Sequence, residues 1–349
     1  MARKNQREAT LSALRHGAQA LTRAQIEALA GVEVPDRTLR RWLSEWTEEG
    51  VLERSGTGRA TRYLYRPEPG VEEPPLPEPL GFLRGLDRDL KQSLLGAVRD
   101  LWTHTSTALE GNTLTLGDTH FLLSEGLTVS GKPLKDHEEV IGHACAIDLL
   151  YQGLDRPLTE SVIFELHKAV QTEHVTDIYK PNGAWKVEPN GTHALAPDGR
   201  PVFLEFAAPA DVPILMDEII AFINTVDIDV VTVSNAHRVY AKIHIGIGQV
   251  HPFWNGNGRI ARLLANIPLL KAGLPPITIP ADKRRDYIRV LTSHNIDTGQ
   301  LDSTTGVWPD TARLAEFTDF CGECNATIRE LVRDAFVVQS KRRSRGGLN

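Results

Sequence analysis

Cysteine is scarce in this sequence, and no long hydrophobic run occurs in it. Three of the 349 residues are cysteines, and the single Cys-x-x-Cys, formed by Cys321 and Cys324, has no second pair to accompany it. Structural zinc sites use four ligands, and disulfide-stabilised folds need more cysteines than this. We therefore interpret Cys321 and Cys324 as two helical residues and expect a reducing compartment.

No apolar stretch approaches the ~20 residues that a membrane-spanning helix requires. The N-terminus is polar and lacks the apolar segment of a secretory signal. These absences predict a cytoplasmic protein without membrane contact. A hydrophobic fraction of 41% is typical of globular domains, and 349 residues allow one large domain and a small one.

Positive charge is concentrated at the N-terminal end. Residues 1–66 hold 12 Lys or Arg and 8 Asp or Glu, a net charge of +4, whereas the whole chain has a net charge of −6. A basic region on an acidic body indicates that residues 1–66 have a partner of their own.

Residues 1–66 are predicted to form three helices followed by a strand hairpin. The third helix begins at Pro35 and ends at Gly50, and its apolar residues share one face. This pattern resembles the winged helix-turn-helix fold, whose third helix enters the major groove of DNA. The resemblance implies DNA contacts by residues of that helix and of the wing, namely Arg37, Thr38, Arg40, Arg41 and Arg59. Such domains also serve in protein docking or dimerisation, and that alternative stays open.

The remaining chain is predicted to be mainly α-helical. Residues 67–79 contain six prolines and several glutamates, a composition typical of an extended linker. We expect one domain over residues 80–298, then further helices over 299–349. A basic tail at Lys341–Arg345 is expected to be disordered.

The most informative stretch runs from His251 to Arg262. Apolar residues at helical spacing lie on both sides of it, so it is predicted to be a loop that leads into a buried helix. The first N–H groups of a helix lack partners and favour anions, and the glycines allow close approach of a phosphate. His251 can exchange a proton near neutral pH. The local chemistry therefore indicates a base beside a phosphate-binding loop.

This stretch resembles the signature of Fic-domain proteins, His-x-Phe-x-Asp/Glu-Gly-Asn-Gly-Arg-x-x-Arg. The departure is Asn255, where the family usually has an acidic residue. The resemblance implies a mainly α-helical core with a short β-hairpin flap and transfer of AMP from ATP to a Ser, Thr or Tyr hydroxyl of a protein. It implies His251 as general base, phosphate contacts by Asn255, Gly256, Asn257, Gly258, Arg259 and Arg262, and Mg²⁺ or Mn²⁺ near Asn255.

A second segment resembles the inhibitory motif of the same family, Ser/Thr-x-x-x-Glu-Gly/Asn. It covers residues 106–111, with Ser106, Glu110 and Gly111 at the matching positions. The resemblance implies that Glu110 reaches Arg262 and takes the place of a γ-phosphate oxygen. A carboxylate there would also repel the phosphates.

A third segment, from Tyr179 to Glu188, interrupts the helical pattern and resembles the Fic flap, which holds the target by strand pairing. The flap residues are predicted to be Gly183, Trp185, Lys186 and Val187, with turns at Asn190-Gly191 and Asp198-Gly199. His167, on a preceding helix, is interpreted as a structural histidine.

Two alternatives to an AMP-transferring enzyme remain open. The chain can be a DNA-binding regulator whose Fic body senses nucleotide or modifies only itself, or an enzyme that removes AMP from a protein. The expected partners are a protein target, which can be the chain itself, and DNA through residues 1–66. The sequence also allows a homodimer.

Replacing Asn255 with Asp is expected to accelerate AMP transfer and to weaken any preference for Mn²⁺. An amide oxygen can coordinate a divalent cation but brings no negative charge, so the wild-type chain should be the slower of the two. Initial rates of protein labelling from ATP, measured with each metal, test this. Identical rates and metal dependence for both proteins would remove the role given to Asn255.

Overall fold

The computed structural model describes residues 6, 7, 10, 14, 20–30, 34–49, 51–56, 58, 61–65, 79–172, 177–196, 199–324 and 326–346. The chain divides into two compact units, residues 1–76 and 77–349, and each is considered by itself. The linker predicted at 67–79 lies almost entirely outside the described residues. Arg59, at the predicted wing, lies outside them too.

The first unit contains helices α1 (Arg23–Ala30) and α2 (Asp36–Glu48) and strands β1 (Leu21–Thr22), β2 (Leu52–Ser55) and β3 (Arg62–Tyr65). The strands form an antiparallel sheet in the order β1-β3-β2. Strand β1 was not predicted, because two residues are too short to show an alternating pattern. Within the described residues, two helices and a hairpin follow one another in the predicted order. The first of the three predicted helices lies mostly outside the described residues, and the winged helix-turn-helix assignment stays a prediction.

Helix α2 supplies most of the core of this unit. Its apolar residues recur at helical spacing, so Leu39, Trp42, Leu43 and Trp46 share one face and are all buried. Leu14, Ile26 and Leu52 complete the cluster. The opposite face of α2 is left for charged residues.

The second unit is mainly α-helical with one two-stranded hairpin, and this predicted fold class is confirmed. Its helices are α3 (Arg88–Leu109), α4 (Leu116–Glu125), α5 (Leu134–Gln152), α6 (Glu160–Val170), α7 (Val212–Thr225), α8 (Ala236–Val250), α9 (Asn257–Leu264), α10 (Ile267–Lys271), α11 (Arg284–Thr298), α12 (Ala315–Cys324) and α13 (Thr327–Gly346). The hairpin consists of β4 (Gly191–Leu195) and β5 (Pro201–Glu205). Within the described residues, no helix has the length and apolar character needed to cross a membrane.

Helix α8 lies at the centre of this unit. It is apolar on most of its circumference, and residues such as Tyr240, Ile243, Ile247 and Val250 are fully buried. Helices α7, α9 and α12 pack around it. A helix surrounded in this way holds a fixed position, so the loop at its C-terminal end is also well placed.

The predicted flap residues do not lie in the hairpin. Gly183, Trp185, Lys186 and Val187 precede it, and the strands pair from Gly191 opposite Glu205 to Leu195 opposite Pro201. The expected turn at Asn190-Gly191 is wrong, because the Asn190 side chain donates to main-chain carbonyls of another loop and Gly191 starts β4. The connection from β4 to β5 includes Gly199; Asp198 lies outside the described residues.

The predicted disorder of the basic tail is also wrong. Residues 341–346 continue helix α13, which packs against the start of α3. Arg342 pairs with Asp89 at 2.8 Å, and Arg343 donates to the carbonyl oxygen of Gly85 at 2.9 Å. Arg342 thus pairs with an acidic residue that is far away in sequence.

Candidate active site

The candidate site is the loop between α8 and α9. Helix α8 ends because His251 adopts a left-handed conformation, with φ 50° and ψ 60°. Gly256, with φ 80°, allows the second change of direction from which α9 begins. A non-glycine residue at positive φ is strained, so His251 must be held by its surroundings.

Side chains of the loop close it on itself. Asn257 accepts a hydrogen bond from Phe253 N at 2.8 Å through Oδ1 and donates one to Phe253 O at 2.7 Å through Nδ2. Phe253 is fully buried and stacks on the ring of His167 with a centroid distance of 3.8 Å. The Asn257 side chain is therefore engaged in shaping the loop, while the first N–H groups of α9 remain free of intrahelical partners.

The segment before the hairpin clamps the main chain of the loop. Lys186 N donates to Pro252 O at 2.9 Å, and Lys186 Nζ donates to Asn190 Oδ1 at 2.6 Å and Val250 O at 3.3 Å. Asn190 Nδ2 donates to Phe253 O at 2.9 Å and to His251 O at 3.4 Å. These contacts hold the strained backbone of His251 in place.

His167 connects three segments. Its Nε2 faces Asn255 O at 3.0 Å and its Nδ1 accepts from Gly183 N at 2.9 Å. Because a carbonyl can only accept, Nε2 carries the proton and the ring is neutral. Burial lowers the pKa of His167 to about 4, which keeps it so. This histidine is structural, as expected, and it positions the loop.

The ring of His251 is prepared to accept a proton. Nδ1 lies 3.3 Å from Gly248 O, so Nδ1 carries the hydrogen and Nε2 presents a lone pair. The ring stacks on Phe206 with a centroid distance of 3.9 Å. Burial lowers the pKa of His251 to about 4, and therefore the imidazole is neutral at neutral pH.

Arg262 is the most deeply buried charge of the site, with a side chain that is 2% exposed. Nη2 donates to Glu110 Oε1 at 2.6 Å and to Ser106 O at 2.9 Å, and Nε donates to Ser106 Oγ at 2.9 Å. Burial opposes ionisation of Glu110, but the guanidinium of Arg262 outweighs it and the pKa of Glu110 is lowered. The two residues are 152 positions apart, and the fold brings them together.

The carboxylate of Glu110 lies over the start of α9. A Cβ atom placed on Gly258 would be 2.5 Å from Glu110 Oε1 and 3.0 Å from Arg262 Nη1. Gly258 is thus the position where the backbone leaves room for an oxyanion. In this structure the oxyanion is the carboxylate of Glu110, followed by Gly111 with φ 101°.

Two further predicted phosphate ligands, Arg259 and Asn255, form hydrogen bonds with main-chain atoms of the protein. Arg259 Nη1 donates to Val170 O at 2.6 Å, and Asn255 Oδ1 accepts from Gly256 N at 2.7 Å. Arg259 and Arg262 share a helix face but reach different partners. Within the part of the chain that the structure describes, no three His, Cys, Asp or Glu side chains come together to hold a metal ion.

The predicted DNA-contacting residues that are described lie on α2. Arg37 is exposed, Arg40 pairs with Asp36 at 2.8 Å, and Arg41 pairs with Glu45 at 3.4 Å. The side chains of Arg40 and Arg41 are 63% and 64% exposed. Thr38 lies in the first turn of α2, where its N–H bonds to Pro35 O at 2.7 Å.

Several residues that shape the site were not identified from the sequence as part of it. Asn190 follows a local turn pattern in the sequence. The loop residues that it contacts, His251 and Phe253, lie 61 and 63 positions further along the chain. Tyr287 accepts from Arg262 Nη1 at 3.1 Å, and Arg284 Nε donates to Leu109 O at 2.8 Å at the end of α3. A buried tyrosine at helical spacing gives no signal that distinguishes it from a core residue.

Residues 157–269 match the model of the Fic/DOC family, and this chain carries a Fic/DOC domain. Among curated proteins, a protein adenylyltransferase Fic from Drosophila virilis is 33% identical over 194 residues, which are 54% of this chain and 36% of the relative. Protein adenylyltransferase fic-1 from Caenorhabditis elegans is 29% identical over 205 residues, 56% of this chain and 36% of the relative. The chain spans about a third of the length of these relatives.

Solved structures are similar over most of the chain. A Fic domain containing signaling protein from Bacteroides thetaiotaomicron matches with a TM-score of 0.61 and 29% identity, over 73% of this chain and 94% of that one. Residues 134–508 of Fic-1 from Caenorhabditis elegans match with a TM-score of 0.53 and 20% identity, over 95% and 83% of the two chains. The second match shows the fold alone. The predicted Fic core is confirmed.

The buried histidines predict that the free energy of unfolding falls as the pH drops from about 6.5 to 4. His167 and His251 have folded-state pKa values of about 4, and burial also holds the pKa of His143 and His244 well below 6.5. Between pH 6.5 and pH 4 the unfolded chain therefore binds more protons than the folded chain. The free energy of unfolding present above pH 6.5 is lost as the pH falls through this range. Each histidine contributes up to about 1.4 kcal/mol per pH unit.

Urea unfolding of the full chain at several pH values measures this slope. His167→Gln should reduce the slope, whereas His193→Gln, which alters an exposed histidine of β4, should leave it unchanged. Equal slopes for wild type and His167→Gln would contradict the pKa assigned to His167.

Proposed function

We propose that the second unit transfers AMP from ATP to a hydroxyl group of a protein. The observation that carries this proposal is the convergence of a neutral imidazole and an oxyanion site on one rigid loop. His251 presents Nε2, and the start of α9 leaves room above Gly258 for an oxyanion. Fic relatives named protein adenylyltransferases support the same activity.

The reaction follows from these groups. His251 Nε2 takes the proton of the target hydroxyl as its oxygen bonds to the α-phosphorus of ATP. The bond between the α-phosphorus and the bridging oxygen breaks, and pyrophosphate leaves with the electron pair. The N–H groups at the start of α9 stabilise the charge on the α-phosphate, and Arg262 stabilises the charge on the outer phosphates. Phe206 and Gly248 O keep the imidazole in the productive orientation.

The residues present do not form a Mg²⁺ or Mn²⁺ site by themselves. Asn255 offers one neutral oxygen, and that oxygen already accepts a hydrogen bond from Gly256 N. Glu110, the nearby carboxylate, is engaged with Arg262. We therefore derive no step through a metal ion.

We further propose that Glu110 holds the enzyme in a silent state. Its carboxylate occupies the anion site and uses the donor of Arg262 that a γ-phosphate oxygen needs. One carboxylate oxygen is in contact, and the Glu110 side chain is 39% exposed. Such a pair lies between an exposed ion pair, worth under about 1 kcal/mol, and a fully buried one. Silencing of about tenfold corresponds to roughly 1.4 kcal/mol.

Glu110→Gly is expected to raise labelling of protein from radioactive ATP by about tenfold or more over wild type. The substitution empties the anion site and frees Nη2 of Arg262 for phosphate. Adding His251→Ala should abolish the labelling, because no base remains. Glu125→Gly, which alters an exposed glutamate at the end of α4, is the matched control and should change nothing.

The outcomes separate the two parts of the proposal. Equal labelling by wild type and Glu110→Gly would remove the silencing role and leave the transfer activity standing. Labelling that survives His251→Ala would remove the assigned base. No labelling of any protein by any variant would remove the transferase proposal.

DNA binding by the first unit is a second candidate function, favoured by the exposed arginines on the outer face of α2. In the part of the chain that the structure describes, Arg40 and Arg41 pair with carboxylates of their own helix, and exposed pairs of this kind are weak. A DNA phosphate can therefore replace Asp36 or Glu45 at little cost. This function is compatible with the transferase activity of the second unit.

Arg40→Ala and Arg41→Ala are each expected to weaken binding of the full chain to random double-stranded DNA. Loss of one phosphate contact should lower the slope of log affinity against log salt by about 1. Arg289→Ala, which removes an exposed and paired arginine of the second unit, is the matched control. Unchanged affinity in both α2 variants would exclude this face as the DNA-binding surface.

A further inference from the structure

Arg262 has acceptors on two sides, and only one side belongs to the inhibitory segment. Ser106 and Glu110 lie on or just after α3, and they accept from Nε and Nη2. The remaining nitrogen, Nη1, donates to the hydroxyl of Tyr287 at 3.1 Å. Tyr287 is on α11, which comes from the opposite end of the unit's sequence. When Glu110 leaves, Tyr287 is an acceptor that does not leave with it.

The hydroxyl of Tyr287 is itself held by a second hydrogen bond, to His244. Its oxygen lies 3.1 Å from Nε2 of His244, and all three side chains are buried. The Tyr287 hydroxyl accepts from Arg262 Nη1 while keeping its own proton, and a second hydrogen bond joins it to the neutral ring of His244 in a direction set by the tautomer of that ring. Burial, with the nearby guanidinium, holds the pKa of His244 well below 6.5, and burial raises the pKa of Tyr287 to about 12. Both groups therefore keep these protonation states near neutral pH.

We infer that Tyr287, backed by His244, is a positioning residue that keeps Arg262 directed at the outer phosphates of ATP after Glu110 has moved away. This inference rests on the proposed function. Arg262 reaches the anion site from within the core. Without the contact of Nη1 with Tyr287, its long side chain could adopt several rotamers. The two hydrogen bonds that join Nη1 to the Tyr287 hydroxyl and that hydroxyl to His244 favour one of these rotamers. The selected direction places Nη1 3.0 Å from the Cβ position of Gly258.

A second tyrosine provides an unusually close control. Tyr240 is also fully buried and its ring lies 5.7 Å from that of His244, yet its hydroxyl has no hydrogen-bond partner among the described residues. Tyr287→Phe and Tyr240→Phe thus remove the same atom from the same part of the core. They differ in that the first hydroxyl contacts Arg262 and the second does not.

The experiment measures the Kd of ATP and of AMP by calorimetry on the full chain. The parent protein carries Glu110→Gly to open the site and His251→Ala to prevent turnover. Tyr287→Phe is expected to weaken ATP binding about tenfold and AMP binding less than twofold, because AMP has no outer phosphates for Arg262 to hold. Tyr240→Phe should change neither. His244→Leu, which removes the second hydrogen bond of the Tyr287 hydroxyl, should weaken ATP binding about threefold and spare AMP.

The results distinguish this inference from the function on which it rests. If the parent prefers ATP to AMP and Tyr287→Phe behaves like Tyr240→Phe, the positioning role is wrong and the proposed function stands. If Tyr287→Phe weakens ATP and AMP equally, the hydroxyl supports the core in general and the inference is overturned. If the parent binds ATP no more tightly than AMP, Arg262 does not hold outer phosphates, and both fail.

Discussion

A buried guanidinium imposes the main constraint on this site. Arg262 cannot lose its charge, and a charge inside the core is tolerated only when its N–H groups have acceptors. The fold meets this requirement by bringing α3, α9 and α11 to one point, where Ser106, Glu110 and Tyr287 accept from the same side chain. Three helices that are distant in sequence therefore meet at one arginine.

The loop beside it is stable for a different reason. Its turn contains a strained residue, His251, and the strain is offset by hydrogen bonds that end on main-chain atoms. Asn257 bonds to the main chain of Phe253 from within the loop. From the segment before the hairpin, Asn190 donates to Phe253 O and Lys186 donates to Val250 O. The imidazole of His251 is thus presented by a backbone that hydrogen bonds hold in one conformation.

The parts of this structure that could be predicted from the sequence are those determined by local pattern. The loop between two apolar helices followed from the spacing of apolar residues. The approach of Glu110 to Arg262, 152 positions apart, followed from the resemblance to the inhibitory motif of Fic proteins. Other contacts that depend on tertiary packing could not be predicted. Asn190-Gly191 has a strong local preference for a turn. In the structure the side-chain amide of Asn190 instead donates to two main-chain carbonyls of the loop, and no turn forms there. Likewise, residues 341–346 continue a helix in which Arg342 meets Asp89, 253 positions earlier, and no local pattern predicts that contact.

The contact of α13 with the first turn of α3 limits how the segment that ends at Glu110 can move. Helix α3 has 22 residues and is about 33 Å long, and its start is held by Gln339 and Arg342. Glu110 follows its other end. Because the start of α3 is held in this way, we expect the carboxylate to leave Arg262 through fraying of the final turn or through a change of its own rotamer, and not through sliding of the whole helix. Local opening of one helical turn involves far fewer contacts than displacement of a helix, and it can be fast and reversible.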